Sequence, residues 1–114
     1  IDPVAVGRYW AERLETMLGR CVRDRDLLPA DRSIDVRFDE FMADDVAMVE
    51  RIYDIARQPF TPDTRSAMRR FMAEHPRGRH GGVRYDLGEF GLTTAERRSA
   101  LAFYVDRFGV SEER

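Results

Sequence analysis

The sequence predicts a mainly α-helical chain with about four helices, one short strand near residues 33–38, and a long Gly/Arg loop over residues 77–91. Three observations carry this. Apolar residues recur at spacings of three and four in separate stretches, the pattern of a helix with one buried face. Apolar and polar residues alternate convincingly in one place, Ser33-Ile34-Asp35-Val36-Arg37-Phe38, as a half-buried strand requires. Residues 77–91 carry five glycines and little periodicity, which marks a connecting loop.

The first helix is predicted from about residue 3 to 25. Asp2 offers an N-cap, and Pro3 stands at the first helical position, where a missing N–H costs nothing. Trp10, Leu14, Met17, Leu18 and Cys21 form its apolar face, with Cys21 expected in the core. Pro29 falls in the stretch that ends it. The strand comes next in the chain, and a lone strand cannot satisfy its own backbone N–H and C=O groups. Its partners must come from elsewhere, which, with an opening at Ile1 directly into a helix start, predicts a portion of something larger.

Asp44 and Asp45 place acid where a helix macrodipole favours it, and Val46, Val49, Ile52, Tyr53 and Ala56 carry that helix to about residue 56. Thr61-Pro62-Asp63 opens a third, with Ala67, Met68, Phe71 and Met72 on its core side. It stops before His75-Pro76, because the residue preceding a proline avoids the α region. Thr93-Thr94-Ala95-Glu96 is a capping box, and Leu101, Tyr104, Val105 and Phe108 give the last helix its buried face. Ser111 to Arg114 are expected to fray.

Composition narrows the function classes. The chain has 114 residues, 43% hydrophobic and 35% charged, enough for one modest core. A net charge of −2 argues against a broad footprint for nucleic acid or an anionic membrane. No stretch is long enough for a membrane span, and no signal-peptide pattern opens the chain. One cysteine excludes an internal disulfide and fits a reducing compartment, so a cytoplasmic location is expected. All 19 basic residues are Arg, the bias of a GC-rich genome, so Arg in place of Lys carries little weight at any one site. His75 and His80 straddle a proline with no Cys or carboxylate at ligand spacing, so no metal site is expected. Asp39 and Glu40 are adjacent and in extended chain face opposite sides, which rules them out as an acid/base pair.

The candidate for chemistry is Arg77-Gly78-Arg79-His80-Gly81-Gly82-Val83-Arg84. Residues 65–84 hold six Arg against one acid, Glu74, a local +5 that leaves the other 94 residues at −7. Glycines let a backbone approach a phosphate and turn N–H groups toward it, and guanidinium forks bind its oxygens in pairs. A compact dianion would suit such a loop. From these residues alone, an anion site and a solvated loop both remain open.

A family resemblance bears on that choice. Val36-Arg37-Phe38-Asp39-Glu40-Phe41 resembles the sulfotransferase pattern of a strand ending in Arg-Tyr-Glu-Asp-Leu. Helix 44–56 followed by Gln58-Pro59-Phe60 is similar to the family's next helix, which closes on a Gly/Gln-x-Pro turn. Arg79-His80-Gly81 resembles the family's Arg-Lys-Gly, and Tyr85-Asp-Leu-Gly-Glu-Phe-Gly-Leu92 is similar to the Tyr-x-Leu-x-x-Phe-Gly-Leu of bacterial members. The resemblance covers nearly the whole chain.

It implies an α/β parent enzyme with a P-loop-like fold and a parallel sheet, using 3′-phosphoadenylyl sulfate as donor. Arg79 would contact the 3′-phosphate, helped by His80 and the N–H groups around Gly81. Phe38 would stack on adenine, and Arg77, without a strict counterpart, is a second candidate. Contact with a dianion would favour the charged form of His80. The family's Gly/Ser/Thr-rich phosphosulfate loop and its acceptor-activating base have no match here. Residues 1–114 are thus expected to be the C-terminal segment of a single sulfotransferase domain, carrying part of the donor site and no catalytic residue. Its partners would be the nucleotide donor, an acceptor that the sequence does not identify, and the missing N-terminal part. Taken alone, the segment is expected to be inactive and to self-associate through uncovered apolar faces. The alternative is a non-catalytic helical interaction module whose Arg-rich loop binds an acidic partner or nucleic acid.

Overall fold

The structure, a computed structural model, describes residues 1–112; Glu113 and Arg114, within the terminus expected to fray, lie outside the described residues. Among these there are six α-helices: α1 Pro3–Asp24, α2 Phe38–Ala43, α3 Asp45–Ile55, α4 Pro62–Glu74, α5 Thr94–Ala100 and α6 Ala102–Phe108. Short 3-10 turns occur at Arg25–Leu27, Ala30–Arg32 and Leu87–Phe90. The chain divides into two compact units. One comprises Ile1–Leu27 with the chain from Arg84 onward, the other Leu28–Val83.

In the first unit, α1 starts where expected. Asp2 accepts the Val4 N–H at 3.0 Å and Pro3 is the first helical residue. Its buried residues are Gly7 and Ala11. A Cβ on Gly7 would stand 2.3 Å from the carbonyl oxygen of Phe90, so the absence of a side chain there is what lets the Leu87–Phe90 turn lie against the helix. Asp86 caps that turn by accepting the Gly88 N–H at 2.8 Å. Gly91 ends it in the left-handed region, φ 69°. Arg97 of α5 reaches Glu15 of α1 at 2.8 Å, and Arg107 of α6 reaches Asp26 at 2.8 Å.

Of the expected core face of α1, Leu18 is half-buried and the other four residues are exposed. Trp10, Leu14 and Met17 are 45–60% exposed, and Cys21 is exposed as well. At 100° per residue the stripe through Gly7, Ala11, Leu18 and Val22 lies about a quarter-turn from the one through Trp10, Leu14, Met17 and Cys21. The unit's own elements cover the first stripe. The close approach is carried by small residues, which hydrophobic periodicity does not register. The predicted last helix is also two: at Leu101 the backbone leaves helical geometry (φ −102°, ψ 6°), separating α5 from α6.

In the second unit, the strand predicted at residues 33–38 does not form. Ser33 is extended (φ −147°, ψ 155°), as is Arg37 (φ −81°, ψ 135°), but no strand occurs among the described residues. A ladder needs a second strand, and none is present to pair with it. Phe38 instead opens α2, with Asp39 and Glu40 in the first turn, where negative charge is favoured. Arg37 pairs with Glu40 at 3.1 Å across the start of that helix.

Asp44 caps α3, accepting the Ala47 N–H at 3.0 Å. The helix ends in a Schellman arrangement: Arg57 is left-handed (φ 56°), and the Gln58 N–H reaches back to the Tyr53 carbonyl at 2.9 Å. Thr61 caps α4 through the Thr64 N–H at 3.2 Å. Helices α3 and α4 are joined by Arg65, whose guanidinium donates to both Glu50 carboxylate oxygens at 2.9 Å. Tyr53 meets Phe60 edge-on at 5.2 Å. Val46 and Met48 are buried, but no residue of α4 is. The expected core residue Phe71 is 56% exposed. It lines an open apolar groove of about 510 Å³ with Phe41, Val46, Val49, Ala67 and Met68. No helix among the described residues is long and apolar enough to cross a membrane.

Candidate functional site

The Arg/Gly loop begins at a firmly held helix end. The residue before Pro76 leaves the α region as the sequence requires: His75 has φ −125° and ψ 64°. The Phe71 carbonyl accepts both its backbone N–H and its ring Nδ1–H at 2.9 Å. That contact places the proton on Nδ1, because a carbonyl oxygen can only accept. The imidazole also stacks on the Phe71 ring with centroids 4.0 Å apart. Beyond His75 the chain makes a pair of tight turns rather than a featureless loop. The Arg79 N–H reaches the Pro76 carbonyl at 3.3 Å, and the Gly81 N–H reaches the Gly78 carbonyl at 2.9 Å. Both glycines are left-handed, Gly78 at φ 76° and Gly81 at φ 88°, a conformation that an L side chain disfavours.

These turns bring Arg79 and His80 together. The Arg79 Nε–H donates to His80 Nε2 at 2.9 Å. In that contact the imidazole nitrogen accepts, a role open only to a ring with no proton on Nε2. The other predicted residues are placed differently. Arg77 turns to α3, where it meets Asp45 at 3.5 Å. The Gly81 N–H closes a turn rather than facing outward. Phe38 lies at the start of α2 and is 63% exposed. The 3-10 turn Leu87–Phe90 closes the predicted loop, a short element that the motif there did not indicate.

The sequence marked Asp45 only as an acid at a helix start and did not mark Glu50 at all, and both carboxylates change the electrostatics of the region. Of the six arginines between 65 and 84, Arg65 is held by Glu50 and Arg77 by Asp45. Among the described residues, Arg69, Arg70, Arg79 and Arg84 have no carboxylate partner. Part of the local positive excess thus cross-links this unit's own helices. Spacing of opposite charges 15 and 32 residues apart has no sequence signature. The remaining excess is open to an external anion. Arg79 has the most to offer: its Nη donors are uncommitted, it sits beside a group able to gain charge, and it stands between two left-handed glycines.

No family model matches the chain, and no curated protein matches it. Among solved structures, the sulfotransferase STF9 from Mycobacterium avium matches with a TM-score of 0.82 and 30% sequence identity. That match covers 99% of this chain and 29% of the other. The chain therefore folds like part of a sulfotransferase and spans under a third of that protein's length.

Proposed function

We propose that this chain is the C-terminal segment of a single sulfotransferase domain whose enzyme moves a sulfuryl group from 3′-phosphoadenylyl sulfate to an acceptor hydroxyl or amine. The observation that supports it is the likeness, over 99% of the chain, to a sulfotransferase at 30% identity. An exposed guanidinium at Arg79, without a carboxylate partner and set between left-handed glycines, fits a phosphomonoester dianion. In this reading Arg79 and His80 hold the donor's 3′-phosphate, Phe38 offers a face for adenine, and Arg77 is the second-rank contact. The phosphosulfate loop and the base that deprotonates the acceptor belong to the part upstream. In-line attack by the acceptor on sulfur then releases adenosine 3′,5′-bisphosphate. Catalysis of this kind rests on positioning and on stabilising charge at the bridging and leaving oxygens. The segment's contribution is to fix the nucleotide so that sulfur lies in line, and the Arg/Gly loop orders as the nucleotide binds.

Calorimetric titration of the chain, and of the longer protein containing it, with adenosine 3′,5′-bisphosphate tests this. The longer protein should bind, and Arg79→Ala should weaken binding at least tenfold, about 1.4 kcal/mol. Loss of the 3′-phosphate from the ligand should cost as much. No binding by the longer protein would overturn the reading. Binding with steep salt dependence and no preference for the 3′-phosphate would instead favour an interaction module for acidic partners.

A further inference from the structure

Resting on that reading of the loop, the contact between Arg79 and His80 carries a consequence for how the site is controlled. The Arg79 Nε–H donates to His80 Nε2 at 2.9 Å. An imidazole nitrogen that accepts a hydrogen bond cannot hold a proton at the same time. The contact therefore exists only while His80 is neutral, and in that state it occupies one edge of the Arg79 guanidinium. Protonation of Nε2 removes the acceptor and sets two positive charges side by side, so the two side chains must separate. An anion between them relieves the repulsion and takes up the freed Nε–H together with the new Nε2–H.

We propose that His80 is a proton-controlled latch on Arg79, such that the loop takes up a compact dianion and a proton together. When neutral, His80 ties up the Arg79 Nε–H. When protonated, it releases that donor and adds a second cation to the site. The loop geometry suits this exchange: left-handed Gly78 and Gly81 flank the pair, and glycine at such positions lets the chain readjust without a Cβ clash.

The charged surroundings are simple. Arg79 is the charged group touching His80. Arg77 is directed away from the pair to Asp45 of α3 at 3.5 Å. Among the described residues no carboxylate pairs with His80, so no internal anion takes the place of the ligand. His75 provides a contrast within the same segment. Its Nδ1–H donates to the Phe71 carbonyl at 2.9 Å, a contact that survives protonation of the far nitrogen. The chain has 2 histidines, so their ring signals can be told apart by one substitution.

Two measurements test the latch. In the free chain near neutral pH, nitrogen-15 NMR should find His80 with its proton on Nδ1, and Arg79→Gln should return it to the Nε2–H form that free imidazole side chains prefer. Finding the Nε2–H form in the unaltered chain would overturn the latch whatever the nucleotide result. The second is calorimetry of the longer protein with adenosine 3′,5′-bisphosphate between about pH 8 and pH 5.5, across the imidazole range. The phosphomonoester itself gains a proton near pH 6 and loses charge, which weakens binding at low pH; His80→Gln records that background. Relative to His80→Gln, the unaltered protein should gain about tenfold in affinity on acidification, within the usual span of site–site coupling. Arg79-dependent binding with the same pH profile in both proteins would leave the nucleotide reading standing and overturn the latch. Absence of binding at every pH would overturn both.

Discussion

Arg57 holds a left-handed conformation, φ 56°, at the position after α3 where chains usually place glycine. That conformation costs an L residue roughly 1–2 kcal/mol, while glycine's extra freedom in the unfolded chain costs about 0.5–1 kcal/mol. The first effect is larger, so Arg57→Gly should raise the thermal midpoint, and Arg57→Ala should not. A pair of thermal melts checks this. A second residue-scale expectation concerns Asp24. Hydrogen bonds from Arg23 at 2.6 and 2.7 Å hold its carboxyl below the ordinary Asp value. The associated stability is present above that ordinary value and is lost as pH falls through the lowered one. Both side chains are open to water, so the effect on folding is slight. An NMR titration should nonetheless find the Asp24 midpoint depressed, and Arg23→Gln should return it to the usual range. At this scale the motif marked Arg79 and His80 as candidates. Their mutual hydrogen bond was not, since adjacency in sequence does not tell which way two side chains turn.

Among the elements, two glycines of α1 make opposite predictions. At Gly7 a Cβ would come 2.3 Å from the Phe90 carbonyl oxygen, whereas at Gly19 nothing lies within 4 Å. Gly7→Ala must push the Leu87–Phe90 turn off the helix, an overpacking cost of about 1–3 kcal/mol. Gly19→Ala removes only glycine's helix penalty and should stabilise by about 0.5–1 kcal/mol. Urea denaturation of both variants should move the midpoint in opposite directions. Helix starts were legible because caps are local: Asp2, Asp44, Thr61 and Thr93 each accept a backbone N–H within three residues. The strand at 33–38 was not decidable in the same way. Its alternating residues state a preference, but a ladder depends on a partner that this stretch cannot specify.

For the chain as a whole, the apolar side chains buried among the described residues are Ala11, Val46 and Met48, while Trp10, Met17, Phe38 and Phe71 are each more than half exposed. Apolar surface on this scale, left open to water, favours association. The chain alone should therefore show a weight-average mass that rises with concentration in sedimentation experiments. Trp10→Ser combined with Met17→Ser should lower that tendency, and a concentration-independent monomer would contradict it. If the chain is a segment of a longer enzyme, the longer protein should lack this behaviour, because its remaining residues would cover the same faces.

The sequence by itself determined the mainly helical class, the start of each long helix, the break before Pro76 and the Arg/Gly loop. All of these rest on interactions within a few residues of chain. Only the tertiary structure decided which stripe of α1 is covered, that residues 33–37 form no strand among the described residues, and that Asp45 and Glu50 neutralise Arg77 and Arg65. It also decided that Arg79 is left facing outward beside His80. Those outcomes depend on which groups meet across long separations in sequence, where pattern and propensity carry no information and packing and Coulomb attraction choose the partner.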